Sequence, residues 1–486
     1  MKCFALLTGC FCAISASLYG QDNHYESLQL GSKNALLSGA ALSHWVDPTA
    51  VVHNAATMMD AKEAGIAFNS TTGGFDKIRF DNGLGEGVDI KTSDFQLYPG
   101  LIAADLPLFK QADKYRLGIA IFARVSDRTR FTNRSTQTQN IINDVEMPGS
   151  ETYIGQYTLD IDVRETTAAM GWAMRLSEHW SAGVTAMTLI RNQRYRENFN
   201  ANAIADPALS PTVDVVSSES DISMKLNYLL LQAKGSLAWH KGPWNLGIVL
   251  TAPSMKMFSN GDMLAQIELT NIRPVDSLNR RSYFASTYLE KLKPKFKYPI
   301  SLSVGVSRSF DDVVLSAAGT FYGNIDRYVV VDPGDASFLQ PPTENNIIYT
   351  QRFLEVWASN RPLVNSSISA EWMLNPLTSL MGGLRTDLHY AEFIEPIPLG
   401  FQLPKKIWNR YHFNVGASLN GKRSRWIFGV QYSHGQADDY RQPYSFDGAA
   451  ENNLLQGVRS KGNIRANGLT GIVSFLFYVN RPTEEN

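Results

Sequence analysis

The feature that most constrains this chain is a series of stretches alternating apolar and polar residues, joined by connections that run long, short, long, short from about residue 63 to 480. Successive side chains of a strand point to opposite faces, so such alternation marks a sheet with one apolar and one polar surface. Residues 411–420 set Tyr411, Phe413, Val415, Ala417 and Leu419 against His412, Asn414, Gly416, Ser418 and Asn420. Residues 115–126, 168–176 and 299–309 alternate in the same way. Fourteen strands can be placed, near 64–72, 94–106, 115–127, 163–176, 180–194, 223–239, 244–258, 297–309, 313–330, 363–374, 378–392, 409–420, 425–438 and 464–479. Tight connections fall near 107–114 and at Ser177 to His179, His240 to Trp244, Phe310 to Asp312, Asn375 to Leu377 and Gly421 to Ser424. An even number of antiparallel strands, with tight turns at one end and long loops at the other, is the pattern of a bacterial outer-membrane barrel.

A soluble sandwich or propeller would also alternate, but its long loops seldom gather on one side, and no blade-length repeat occurs here. Charged residues make up 19 %, and the net charge of −1 offers nothing to nucleic acid. Residues 1–20 have the form of a secretory signal, with Lys2 ahead of an apolar run from Cys3 to Tyr19 and cleavage expected before Gln21. The lipobox-like Leu7-Thr8-Gly9-Cys10 is a competing reading that would place lipid on Cys10. Cys3, Cys10 and Cys12 all lie in this segment, so the mature chain is expected to hold no disulfide and no thiolate chemistry. Beyond it no stretch approaches the roughly 18 apolar residues of a membrane helix, so any crossing must be made by a closed barrel.

Residues 21–62 do not alternate. Leu30, Ala35, Leu36, Ala40, Ala41 and Trp45 have helical spacing up to the break at Asp47-Pro48, and 50–59 is a second, weakly helical stretch. Fourteen strands enclose a lumen that leaks unless it is filled. A partly helical hatch at 21–62, set in the lumen of a barrel spanning 63–480 and followed by a short tail at 481–486, would fill it. A periplasmic tail outside the barrel is the other reading.

Catalytic and cofactor signatures are missing. There is no Gly-x-Ser-x-Gly, His-Glu-x-x-His or phosphate loop, Gly83 to Gly87 lacks a dinucleotide fingerprint, and Asp160-Ile161-Asp162 lacks the rest of a calcium loop. The chain is expected to be neither an enzyme nor a binder of metal or cofactor.

The segments Gly31-Ser32-Lys33, Ser38-Gly39-Ala40, Asp47-Pro48-Thr49-Ala50-Val51 and Asn54-Ala55-Ala56-Thr57-Met58 resemble the hatch of the long-chain fatty-acid transporters, the FadL/TodX-like outer-membrane proteins. Arg164 to Arg191, residues 246–255 and Tyr298 to Ser307 are similar to that family's strands. Lys33, Ser38 and Ala55 depart from its usual Arg, Gly and Pro. The resemblance implies fourteen strands, a hatch gate around Asp47, Pro48, Asn54, Ala55 and Ala56, and a lateral exit at a strand kink. Pro99-Gly100 and Pro253 are the kink candidates, because proline cannot donate to the ladder. Capping and turn formation explain Asp47, Pro48 and Asn54 equally well.

By order, residues 195–222 and 259–296 correspond to the family's landing-site loops; Phe199, Leu209, Leu264, Tyr283 and Phe284 would collect a hydrophobe there, with a further apolar cluster at 338–357. The implied function is passive uptake of hydrophobic small molecules, such as long-chain fatty acids or aromatic hydrocarbons, with outer-membrane lipid as the surrounding partner. The alternative is a shuttle or scaffold barrel that meets secretion-system proteins; an open porin for polar solutes is a third reading.

Overall fold

A computed structural model describes residues 23–28, 31–61, 64–69, 72–98, 100–106, 113–142, 149–206, 215–273, 279–341, 350–392, 401–402 and 406–479. The expected signal and C-terminal tail lie outside them. Fourteen antiparallel strands form a closed barrel. They are β1 (Gly65–Asn69 continued by Thr72–Phe80), β2 (Ile90–Tyr98 and Leu101–Leu106), β3 (Tyr115–Gln139), β4 (Glu151–Arg175) and β5 (Trp180–Ile204). Next come β6 (Val215–Lys241), β7 (Trp244–Thr251 and Met255–Ile272), β8 (Arg281–Leu292 and Ser301–Phe310) and β9 (Val313–Tyr322). The set ends with β10 (Leu363–Asn375), β11 (Thr378–Asp387), β12 (Asn409–Asn420), β13 (Ser424–Arg441) and β14 (Lys461–Tyr478). Sequence neighbours pair around the wall, and β14 closes on β1 from Gly65↔Tyr478 to Phe80↔Ile464. No helix among the described residues is long and apolar enough to cross a membrane.

Toward the tight turns the outer surface is apolar all round, with Ile119, Met170, Val184, Leu250, Val304, Ile368, Val415 and Val473 exposed. Trp172, Trp180, Trp244, Trp372 and Trp426 stand exposed near the turn ends of their strands, as an interfacial aromatic belt requires.

Strands β1 to β8 run farther at the loop end than apolar–polar alternation alone marks. The reason is an inversion of polarity. On the loop-end half of β4, β5 and β6 the inward residues are apolar, among them Tyr157, Leu159, Ile161, Phe199, Ile222 and Met224, all buried. Asp160, Asp162, Arg164, Arg194 and Arg196 face outward there. Above the lipid the barrel is a water-facing sheet with its core inside, so the faces exchange roles. The segments 195–222 and 259–296, taken from sequence as loops, are consequently mostly strand. A small sheet of Ile325–Val331, Val356–Asn360 and Phe401–Gln402 lies between β9 and β12 in the chain.

Residues 31–61, the segment expected to form the hatch, pack on the inward side of the wall. This segment contains α1 (Lys33–Leu36), α2 (Ala50–His53) and a 3-10 turn (Ala55–Asp60). Helix α1 is shorter than the 3.6-residue spacing implies, because Ser38 and Gly39 take left-handed backbone (φ 56° and 76°) and end it. Wall glycines receive the hatch at close range. A Cβ on Gly183 would lie 2.6 Å from Ala56 N, one on Gly118 2.6 Å from Met58 Sδ, and one on Gly429 2.2 Å from Leu36 Cδ2. Gly247, Gly305 and Gly416 are blocked in the same way by Leu42 and Leu36. Small residues on the polar face are therefore the socket of the hatch.

Candidate functional site

Asp47 organises the first half of the hatch. Its carboxylate, fully buried, accepts from Ser32 Oγ (2.9 Å), Lys33 N (3.0 Å), Thr49 N (2.8 Å) and the Thr49 hydroxyl. Pro48 lies against Gly65, where the chain enters β1. Lys33 forms an ion pair with Glu371 on β10; burial lowers the ammonium's pKa, and the glutamate opposes that shift. Asn54 ties the second half to the wall. Its Nδ2 donates to Leu42 O (2.9 Å) and to Leu237 O on β6 (3.2 Å), while its Oδ1 accepts from Ala56 N (3.1 Å) and so caps the 3-10 turn. Ala55 and Ala56 are buried against Gly183. The five hatch residues singled out in the sequence are all buried, and Asn54 both caps the 3-10 turn and meets the wall.

Residues 23–28 also run inside the barrel. The Tyr25 ring stacks between Tyr322 (4.2 Å between centroids) and Tyr390 (4.3 Å), and its hydroxyl accepts from Asn360 Nδ2 (3.0 Å). Glu26 accepts from the Tyr322 hydroxyl at 3.0 Å. Between this segment and the hatch lies a cavity of about 150 Å³. Leu42, Val52, Phe122 and Met187 line it together with Glu26, Arg124 and Lys234. It can hold an apolar body and offer a polar group to one end of it.

The wall beside this cavity is incomplete. The β2–β3 ladder runs from Leu106↔Leu117 to Ile102↔Ile121 and stops. Beyond it, Ile90–Tyr98 pairs only with β1 and the rest of β3 only with β4. Among the described residues, Gln96 Nε2 donating to Arg128 O (3.0 Å) and Asn133 Nδ2 donating to Asp89 O (2.7 Å) cross this seam. Ile102, Ile121 and Phe95 are exposed on the outer surface around the seam's start, which therefore opens in the apolar band. Phe122, adjacent to Ile121 in the chain, lines the cavity within. Gly100 sits at the interruption of β2; Pro99 lies outside the described residues.

Pro253 marks a second interruption. It separates the two parts of β7, and residues 252–260 face the stretch 293–300 of β8, where the ladder gives way to single bonds such as Ser254 N to Tyr298 O (3.3 Å). Here the gap is filled from inside. Phe296 and Tyr298 are buried, Arg191 lies 4.1 Å over the Phe296 ring, and Glu165 accepts from Arg191 (3.3 Å) and from the Tyr298 hydroxyl (2.9 Å).

Of the residues named for capture at the loop end, Phe199 is fully buried on β5, stacked 4.4 Å from Tyr444. Leu264 is half-buried on β7; on β8, Tyr283 is half-buried and Phe284 exposed. Leu209 lies outside the described residues. The cavity residues Phe122, Arg124, Lys234 and Glu26 were not singled out in the sequence. Alternation marks the strand residues as inward or outward but does not say which strands meet across a lumen.

No family model and no curated protein matches the chain. Solved structures do. A Pseudomonas aeruginosa FadL homologue is similar at 12 % identity and a TM-score of 0.57, covering 94 % of this chain and 100 % of its own. The toluene transporter TodX of Pseudomonas putida is similar at 13 % identity and 0.53, covering 95 % and 99 %. The toluene transporter TbuX of Ralstonia pickettii gives 12 % and 0.50, covering 93 % and 98 %. The fold is therefore like that of the FadL/TodX-like barrels over nearly the whole chain, in agreement with the resemblance in the hatch segments.

Proposed function

We propose that this barrel is an outer-membrane channel for passive uptake of hydrophobic small molecules, long-chain fatty acids or aromatic hydrocarbons, with the hatch as its gate. The observation that carries this reading is the meeting of a lumen cavity with the end of a wall ladder, in the apolar band. A lipophile gains roughly 0.8 kcal/mol for each methylene that leaves water. The exposed rings of Phe284 and Tyr288 and the apolar loop-end interior provide successive places for that transfer. From the cavity the short way out is sideways past Phe122, through the β2–β3 seam, into lipid. Movement of the layer holding Asp47, Pro48, Asn54, Ala55 and Ala56 would set access to it. The structural neighbours TodX and TbuX, named as toluene transporters, support the same reading.

Uptake of radiolabelled oleate and toluene by cells with and without the protein tests it. Loss of either uptake on deletion, restored by the wild-type chain, is the expected outcome. Unchanged uptake together with secreted proteins trapped in the periplasm would replace the channel with a secretion component.

A further inference from the structure

We infer that the exposed lysine row Lys291, Lys293, Lys295 and Lys297 on β8, with Lys256 on β7, binds the phosphate groups of a phosphorylated lipid in the outer leaflet. The inference rests on the membrane placement proposed above. These lysines sit in and beside the stretch 293–300, which lies between the two parts of β8 and whose extended chain turns every second residue outward. Pro294, Phe296 and Tyr298 point in and are buried; Lys293, Lys295 and Lys297 point out and are exposed. A two-residue repeat sets neighbouring ammonium groups roughly 6.5 Å apart at the backbone. Directly beside them on the outer surface stand Met255, Met257, Phe258 and Ile300, each 47 % or more exposed, at the upper margin of the apolar band. Acyl chains and headgroup charges meet at that height.

Some exterior cations beyond the apolar band are matched by acids, Arg79 with Asp81 and Asp89, Lys91 with Asp89, Arg130 with Asp160, Arg164 with Asp162, and Arg196 with Asp221, while others such as Arg128, Arg194 and Lys225 stand singly rather than in a row. Among the described residues no ion pair involves Lys256, Lys291, Lys293, Lys295 or Lys297. Lys256 Nζ reaches only Pro294 O (3.5 Å), and Lys297 lies 4.7 Å over the Tyr328 ring. Nearby acids are Glu290 and Asp326, each exposed, and the half-buried Asp262 on β7. A row of unmatched ammonium groups above exposed Met and Phe is complementary to one ligand chemistry, phosphate on an acylated anchor.

The test uses the full-length barrel in a neutral detergent, with native mass spectrometry across a titration of bis-phosphorylated lipid A, the same lipid after enzymatic dephosphorylation, and inorganic phosphate alone. Wild-type barrel is expected to retain the phosphorylated lipid and to bind its dephosphorylated form at least tenfold more weakly. Substituting glutamine at Lys293, Lys295 and Lys297 together should cause the same loss; arginine at all three should keep binding within about threefold. Equal retention by the glutamine variant and wild type overturns the inference, and so does binding of inorganic phosphate as tight as that of the lipid. Fractionation of wild-type cells separates the two failures. Residence in the outer membrane without lipid retention removes the lysine site alone, whereas residence elsewhere removes the channel reading as well.

Discussion

At the scale of single residues, the hatch depends on a few polar side chains that each hold several backbone groups. Asn54 is the clearest, since one amide joins the 3-10 turn, the Leu42 carbonyl and the β6 wall. Asn54→Ala should cost about 1–2 kcal/mol of local stability through the lost cap and wall bond. The expected readout is faster hydrogen exchange at Ala56 and Thr57, with barrel amides unchanged. The cap made by Asn54 was legible because capping is a local signal, whereas the helix break read at Asp47-Pro48 falls well after the end of α1 at Leu36. Ser38 was legible only as a departure from the family's glycine. Its φ of 56° gives the physical reason for glycine there, and Asn414 Nδ2, 2.8 Å from its hydroxyl, helps hold the serine in place. The wall glycines were legible as small lumen residues but not as contact points, since that depends on which hatch atom lies opposite. Gly183→Val should push Ala55 and Ala56 off the wall at a cost of about 1–3 kcal/mol. Gly235→Val, at a site with no atom within 4 Å of an added Cβ, is the control. A larger rise in solute leak for the Gly183 variant than for the control checks it.

At the scale of elements, fourteen strands and their tight turns could be read because a sheet between lipid and a polar lumen has a period of two and two unlike faces. The loop-end halves of β3 to β8 were not, because an outward polar and inward apolar face is the signature of soluble sheets, and the switch falls inside single strands. Pro99 and Pro253 stood out in the sequence as kink candidates because proline cannot donate to the ladder, but nothing there chose between them. That choice turns on what fills each gap. At β7–β8 it is an aromatic and ionic cluster around Arg191 and Glu165, while at β2–β3 two side chain-to-backbone bonds span it. Glutamine in place of Glu165 should weaken the first gap, since breaking a buried ion pair costs about 3–5 kcal/mol. A lower temperature for loss of the compact band on unheated gels is the measurement. Joining the seam should have a functional effect instead. Cysteines at Gln96 and Arg128, bridged by a flexible bis-maleimide, are expected to stop uptake of toluene while leaving the barrel folded. Uptake at the wild-type rate after complete bridging would move the exit away from β2–β3.

At the scale of the whole molecule, wall and hatch have separable roles. The barrel closes through its own ladders, from β1 on β14 round to β13 on β14, and none of these bonds comes from the hatch. The hatch contributes buried contacts to wall glycines, the Lys33–Glu371 pair and the Asn54 bond to β6. Deleting residues 23–61 should therefore leave a barrel that folds and inserts, because a closed set of strands satisfies its backbone without a plug. It should also leave an open aqueous lumen, since fourteen strands enclose more space than their own side chains fill. Planar-bilayer recording distinguishes the outcomes. The intact protein is expected to show little ion current and the deletion variant a large, steady conductance, with discrimination between hydrophobic and polar solutes lost together. A deletion variant that inserts yet conducts no more than the intact protein would mean that the loop-end core, rather than the hatch, seals the lumen. The gate would then belong among Tyr157, Phe199 and Tyr444, the first two rings each lying within 5 Å of the Tyr444 ring.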